Sequence, residues 1–102
     1  MGNKLKYIIV EVSDGEATEI LPVLFPDSLI HREIYRGVKG SYCGVLGRTK
    51  TTRCVSAGFV RINESIPLSE ESIKVSGKSE TLDLESRPED VKLIYVMLTK
   101  SR

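Results

Sequence analysis

Lys6 to Phe25 reads KYIIVEVSDGEATEILPVLF, and this stretch decides the fold. The β-branched run from Lys6 to Val12 stops at Ser13-Asp14-Gly15-Glu16. An Asp-Gly pair between two apolar runs is a two-residue hairpin signal, because both central turn positions call for positive φ. The chain then returns over Ala17 to Phe25, carrying Ile20, Leu21, Val23, Leu24 and Phe25. Pro22 lies inside that run and has no N–H to give to a ladder, so the returning strand is an edge or is bulged there.

Outward from the hairpin, Pro26-Asp27-Ser28 punctuates the chain, and Asp27 or Ser28 can cap a helix. Leu29, Ile30, Ile34 and Val38 fall at helical spacing and Gly37 follows as a C-terminal glycine would, which predicts a helix over 28–36. Gly37, Gly40, Gly44 and Gly47 then make a glycine-dense loop, either a connector or a ligand loop. Arg53 to Asn63 reads as a central strand. Its small Ser56-Ala57-Gly58 stretch implies close approach of a helix or a ligand. Residues 64–72 read as a loop. Ile73–Val75 and Glu80–Leu84, turning at Ser76-Gly77, predict a second hairpin. Ser86-Arg87-Pro88-Glu89 has the form of a capping box, with proline in the first turn. Val91 to Leu98 is then a helix, with a strand as the alternative. The expectation is a single α+β domain over 1–102, with a mostly antiparallel sheet and one or two helices.

The composition narrows the function classes. The chain has 102 residues, 40% hydrophobic and 28% charged, which excludes disordered and collagen-like chains. Fifteen Lys and Arg against fourteen Asp and Glu give a net charge of +1. That balance argues against polymeric nucleic acid as a partner and leaves room for a local basic pocket. No apolar run approaches the roughly 18 residues of a membrane span, and no secretory signal opens the chain, so a cytoplasmic protein is expected. Cys43 and Cys54 stand with a single histidine, His31. That is too few ligands for a zinc site, and two free thiols are expected with a bond left open.

Catalytic chemistry is poorly supplied: no catalytic residue, metal or cofactor is expected. His31, Glu33 and Arg36 are expected on the solvated face of the first helix. Gly77-Lys78-Ser79 resembles the end of a phosphate loop, but Ser72 stands where a glycine is required. Anion-binding chemistry remains. Arg87, after Ser86 at a helix start, offers a guanidinium fork beside free N–H groups. Ser79 and Thr81 supply hydroxyls, and Arg32 and Arg36 stand one turn apart. Phe59 is either a core side chain or a ring for stacking on a base. Arg87 is either a phosphate contact or a salt-bridge partner of Glu89 or Asp90.

The stretches Val55-Ser56-Ala57-Gly58-Phe59-Val60, Gly77-Lys78-Ser79-Glu80-Thr81-Leu82 and Leu84-Glu85-Ser86-Arg87-Pro88-Glu89-Asp90, with His31 to Ile34 upstream, resemble small phage-encoded proteins akin to the anti-Thoeris sponge proteins. The resemblance covers the second half of the chain and the first helix. It implies a phage anti-defence protein in the host bacterial cytoplasm. Such a protein sequesters a small phosphorylated nucleotide, of cyclic ADP-ribose or cyclic oligonucleotide type, without cleaving it. It implies a homo-oligomer, Phe59 as the stacking ring, Arg87 as the phosphate arginine and Arg32 or Arg36 as a second contact; Ser86, Ser79, Thr81 and His31 complete the candidate ligand-binding residues. If the arginines converge, the near-zero charge conceals one basic pocket. The alternative is an inhibitor acting on a host enzyme by protein–protein contact through the apolar Val91–Leu98 face.

Overall fold

Side chains alternate across a strand, and this sorts the molecule into two apolar layers. The computed structural model describes residues 4–42 and 50–100. In β1 (Lys4–Ser13), Tyr7 and Ile9 point to one face while Ile8, Val10 and Val12 point to the other, and all five are buried. A strand buried on both faces must be central and covered twice. It is flanked antiparallel by β2 (Thr18–Pro26) and β3 (Thr51–Ile62), and β4 (Ile73–Ser76) adds antiparallel to β3. The order is β2-β1-β3-β4. A small pair, β5 (Lys78–Ser79) with β6 (Leu84–Glu85), lies apart from this sheet. Helix α1 (His31–Tyr42) covers the Ile8 face with Ile34, Tyr35 and Val38. Helix α2 (Asp90–Lys100) covers the Tyr7 face, where Ile94 is fully buried against Tyr7, Ile9, Val60 and Ile73. The protein is therefore α+β, with two helices and a mostly antiparallel sheet.

Pro22 sits opposite Ile9 on β2, which is an edge strand, and β3 is central between β1 and β4. The opening turn is longer than a two-residue loop. Among its residues only Gly15 has positive φ. Asp14 instead accepts hydrogen bonds at Oδ1 from the amides of Glu16 and Ala17, both at 3.0 Å, which makes an Asx-type turn. Those two donors hold the Asp14 carboxyl below the usual range.

Three boundaries differ from the sequence reading. Helix α1 starts at His31 rather than 28, because the carbonyl of Ile30, not the side chain of Asp27 or Ser28, closes its first turn. Leu29 and Ile30 stay outside, about half exposed. The helix runs on through Gly37 and Gly40 to Tyr42, so Gly37 is no terminator. The apolar stripe of Ile34, Tyr35 and Val38 carries it past both glycines. Gly44, Gly47 and Cys43 lie outside the described residues. Finally, 73–75 does not pair with 80–84. Ile73 and Val75 extend the β3 edge, so that both turn toward the core under α2. Residues 80–83 instead form the tight turn between β5 and β6, with Asp83 at φ 54°.

The small stretch in β3 has neighbours of two kinds: Ala57 packs with Ile34, Tyr35 and Val38 of α1, and Gly58 is crowded by the chain beyond β3. A Cβ on Gly58 would lie 2.7 Å from the Ser76 carbonyl oxygen and 3.0 Å from Ser86 Cβ. Gly77, at φ 74°, turns the chain off the sheet there, and a Cβ on it would lie 2.8 Å from the Phe59 ring.

Among the described residues, no helix is long and apolar enough to cross a membrane. Nor do three His, Cys, Asp or Glu side chains gather as a metal site would require.

Candidate functional site

The first residue of α1 reaches across to the sheet. His31 is not on a solvated helix face: it is 5% exposed. Its Nε2 lies 2.9 Å from the carbonyl oxygen of Gly58, and its ring meets Phe25 and Phe59 edge-on. Two aromatic neighbours and a strand carbonyl make an apolar socket with one polar contact, which suits a neutral imidazole donating from Nε2. Burial and, less strongly, the Lys6 charge push its pKa below 6.5, against the opposing pull of the Gly58 carbonyl.

Phe59 stands beside His31 and is half-buried. Its neighbours on β1 are cations, and its partner on β4 is Ser76. Lys6 is its direct cross-strand partner on β1, and the Lys4 ammonium lies 4.0 Å from its ring centre, within cation–π range. Lys6 also donates to the Leu29 carbonyl at 2.7 Å, which ties β1 to the approach to α1. Together Lys6, Ile30, His31, Phe59, Lys78, Glu80 and Thr81 line an open cleft of about 450 Å³. Phe59, His31 and Thr81 are thus brought together, as expected, and two lysines face them with a single carboxylate, Glu80.

The arginines do not converge on this cleft. Arg87 and Ser86 line a separate concavity, beside β4 and Pro88. The Arg87 guanidinium is held by Asp90, with Nε 3.0 Å and Nη2 2.9 Å from Oδ1. Asp90 is fully buried, and its Oδ2 accepts from the Tyr7 hydroxyl at 2.6 Å and from the Arg87 amide at 3.0 Å. The helix start is accordingly shifted by one residue from the expected box. Pro88 lies in the turn that leads into it, and Asp90, its first residue, rather than Glu89, reaches back to the Arg87 amide. Of the two readings of Arg87, the structure has the salt bridge. Burial and the Asp90 carboxylate push the Tyr7 phenol far above its ordinary pKa.

Arg32 is exposed, and Arg36 is exposed with Glu33 4.0 Å away. Neither lines the cleft. Ser79 is buried: its Oγ accepts from the Leu82 amide and lies 3.2 Å from the Thr81 hydroxyl, so it braces the β5–β6 turn and orients Thr81.

The cysteine chemistry is quiet. Cys54 is a free thiol whose Sγ contacts the Ser56 carbonyl, and burial pushes its pKa up to about 11. It stays protonated and unreactive at neutral pH. Pairing with Cys43 falls outside the described residues.

The residues missed from the sequence are Lys4, Lys6 and Lys78. Lys4 and Lys6 are two apart on a strand and so share a face. What puts that face against Phe59 is the β1–β3 register, and no local pattern reports it. Comparison with family models, curated proteins and solved structures finds no match.

Proposed function

We propose that this chain is a binding protein for a small phosphorylated nucleotide, which it holds without cleaving. The observation that carries the reading is the cleft itself. A half-buried phenyl ring, a neutral imidazole, an oriented hydroxyl and two lysines meet in one open concavity. A base stacks on the face of Phe59, displacing the Lys4 ammonium that rests on it. The phosphate lies between Lys6 and Lys78, within reach of Thr81. Glu80 opposes the anion and favours a ligand with an amino or imino edge to offer it. Among the described residues the site brings together neither an activated nucleophile nor a metal-ligand set, which favours capture over turnover. The resemblance to phage sponge proteins gives this chemistry a setting, capture of a cyclic nucleotide immune signal in the host cytoplasm.

Calorimetric titration with cyclic ADP-ribose isomers and with cyclic di- and trinucleotides tests the proposal. Binding by at least one is expected, with the ligand recovered intact after the protein is denatured. Phe59→Ala is expected to weaken it by about 1–3 kcal/mol, the range of a base–aromatic stack. No response to any of these ligands overturns the reading, and an altered ligand makes the protein an enzyme.

A second observation favours protein–protein contact. Ile20, Leu21 and Pro22 on β2 and Leu93, Val96 and Met97 on α2 line an apolar groove of about 580 Å³. It lies on the face of α2 that the sequence marked out, and it is the natural seam for the expected homo-oligomer or for a host enzyme.

A further inference from the structure

Beyond the cleft, the sheet carries a row of like charges. Lys4 on β1 pairs directly with Arg61 on β3, and Arg61 pairs directly with Lys74 on β4. All three are exposed. They share the face of Phe59, since Phe59 and Arg61 are two apart on β3 and Lys4 leans on the Phe59 ring. Neighbouring strands lie about 4.8 Å apart, so the backbone positions of the three span about 10 Å. Like charges directly opposite on a sheet destabilise it. Relief by carboxylates is missing: among the described residues none of Lys4, Arg61 and Lys74 has an ion-pair partner. Lys6 and Lys78 line the cleft beside this row, on a protein whose net charge is only +1.

We infer that the ligand carries a second phosphate, set apart from the first by the ribose, and that the Lys4–Arg61–Lys74 row holds it. This rests on the proposed function and sharpens its ligand class. One phosphate belongs between Lys6 and Lys78. The row lies one step along the strands from Lys6 and Phe59, about 7 Å for two residues, a separation that two phosphates on one ribose can span and a pyrophosphate cannot. A pyrophosphate keeps its two groups adjacent and fills only one of the two positions. A nucleoside phosphorylated on both its 3′ and 5′ sides fills both, as does each unit of a phosphodiester-linked oligonucleotide. Lys4 links the two positions, since its ammonium reaches the Phe59 ring while its backbone pairs with Arg61.

Calorimetry with adenosine and guanosine 3′,5′-bisphosphates against ADP, GDP and ATP decides it: ADP and GDP match the phosphate number, ATP matches the charge, and only the bisphosphates set two phosphates apart. The bisphosphates are expected to bind about tenfold or more tightly, the worth of one charge-assisted contact. The Arg61→Gln/Lys74→Gln double variant, its fold checked by circular dichroism, is expected to bring the bisphosphates down to the diphosphate affinity. Equal affinity for the two classes, or a preference that survives the double variant, overturns this inference and leaves the proposed function standing. Tight binding of a twenty-nucleotide single strand with none of the bisphosphates overturns it in favour of a polymer-binding face. No binding by any nucleotide removes both readings together.

Discussion

His31 is the only imidazole in the chain, so its titration can be followed without interference from another. It is held neutral in the fold, with a pKa below 6.5, whereas in the unfolded chain it charges near 6.5. The unfolded state therefore takes up protons first as pH falls, and the His31 contribution to stability, complete above about 6.5, is lost below it. Denaturant midpoints are expected to drop between pH 7.5 and 5.5, and the His31→Gln variant is expected to show a shallower drop. Equal slopes would mean that His31 is not kept neutral. Ser56 makes a second test at this scale. Its hydroxyl is fully buried and has no hydrogen-bond partner, which costs free energy. Ser56→Ala is expected to leave stability unchanged or raise it by up to about 1 kcal/mol, read from the same denaturation curves.

At the scale of elements, the start of α2 is pinned to the sheet through Asp90. Tyr7 from β1 and Arg87 from the turn before α2 both donate to one buried carboxylate. Removing the Tyr7 hydroxyl takes away a hydrogen bond to a charged group, so Tyr7→Phe is expected to cost about 1.5–3 kcal/mol. Arg87→Ala leaves that carboxylate short of its counter-charge. Because Arg87 is one-third exposed, its loss is expected at the low end for a buried pair, about 3 kcal/mol. Both appear as lowered unfolding midpoints. This element also shows what was legible beforehand. A proline at the approach to the helix and an acidic residue reaching back are local chemistry that the sequence states, though it names Glu89 where Asp90 makes the contact. So are the Asp14-Gly15 reversal and Pro22 on an edge. What Arg87 does with its guanidinium depends on Asp90 being buried by Tyr7, 83 residues away along the chain, and that is tertiary. The same holds for His31, whose socket is made by Phe25, Gly58 and Phe59, and for the lysines, which meet Phe59 only through strand register.

For the whole molecule, the two helices share one sheet unequally. The α1 face is open at the end where β1 begins, and there the cations and Phe59 gather. The α2 face is closed by Ile94 but leaves a groove toward β2, where Ile20 and Val96 are each more than a third exposed. The rim of that groove is charged with both signs, Glu19 on β2 and Lys92 and Lys100 on α2. Light scattering is expected to give a mass that is a multiple of 11.4 kDa, and Val96→Glu is expected to reduce it to the monomer. A monomeric native protein would point to a partner other than itself.

The place of β1 in the sheet has a consequence for the order in which the chain assembles. It is the first strand made, yet it is the one that needs partners on both sides. Its partner β2 follows after a four-residue turn, so that hairpin can close within microseconds. Its partner β3 pairs Lys4 with Arg61, which closes a loop of more than fifty residues and costs correspondingly more chain entropy. Until β3 arrives, one edge of β1 is unpaired beside the apolar run Tyr7–Val10, a template for pairing with another chain. On a ribosome that interval lasts for seconds at ordinary synthesis rates. The two lysines near the start of β1 also keep that waiting edge charged, which discourages a wrong strand from joining it before the right one emerges.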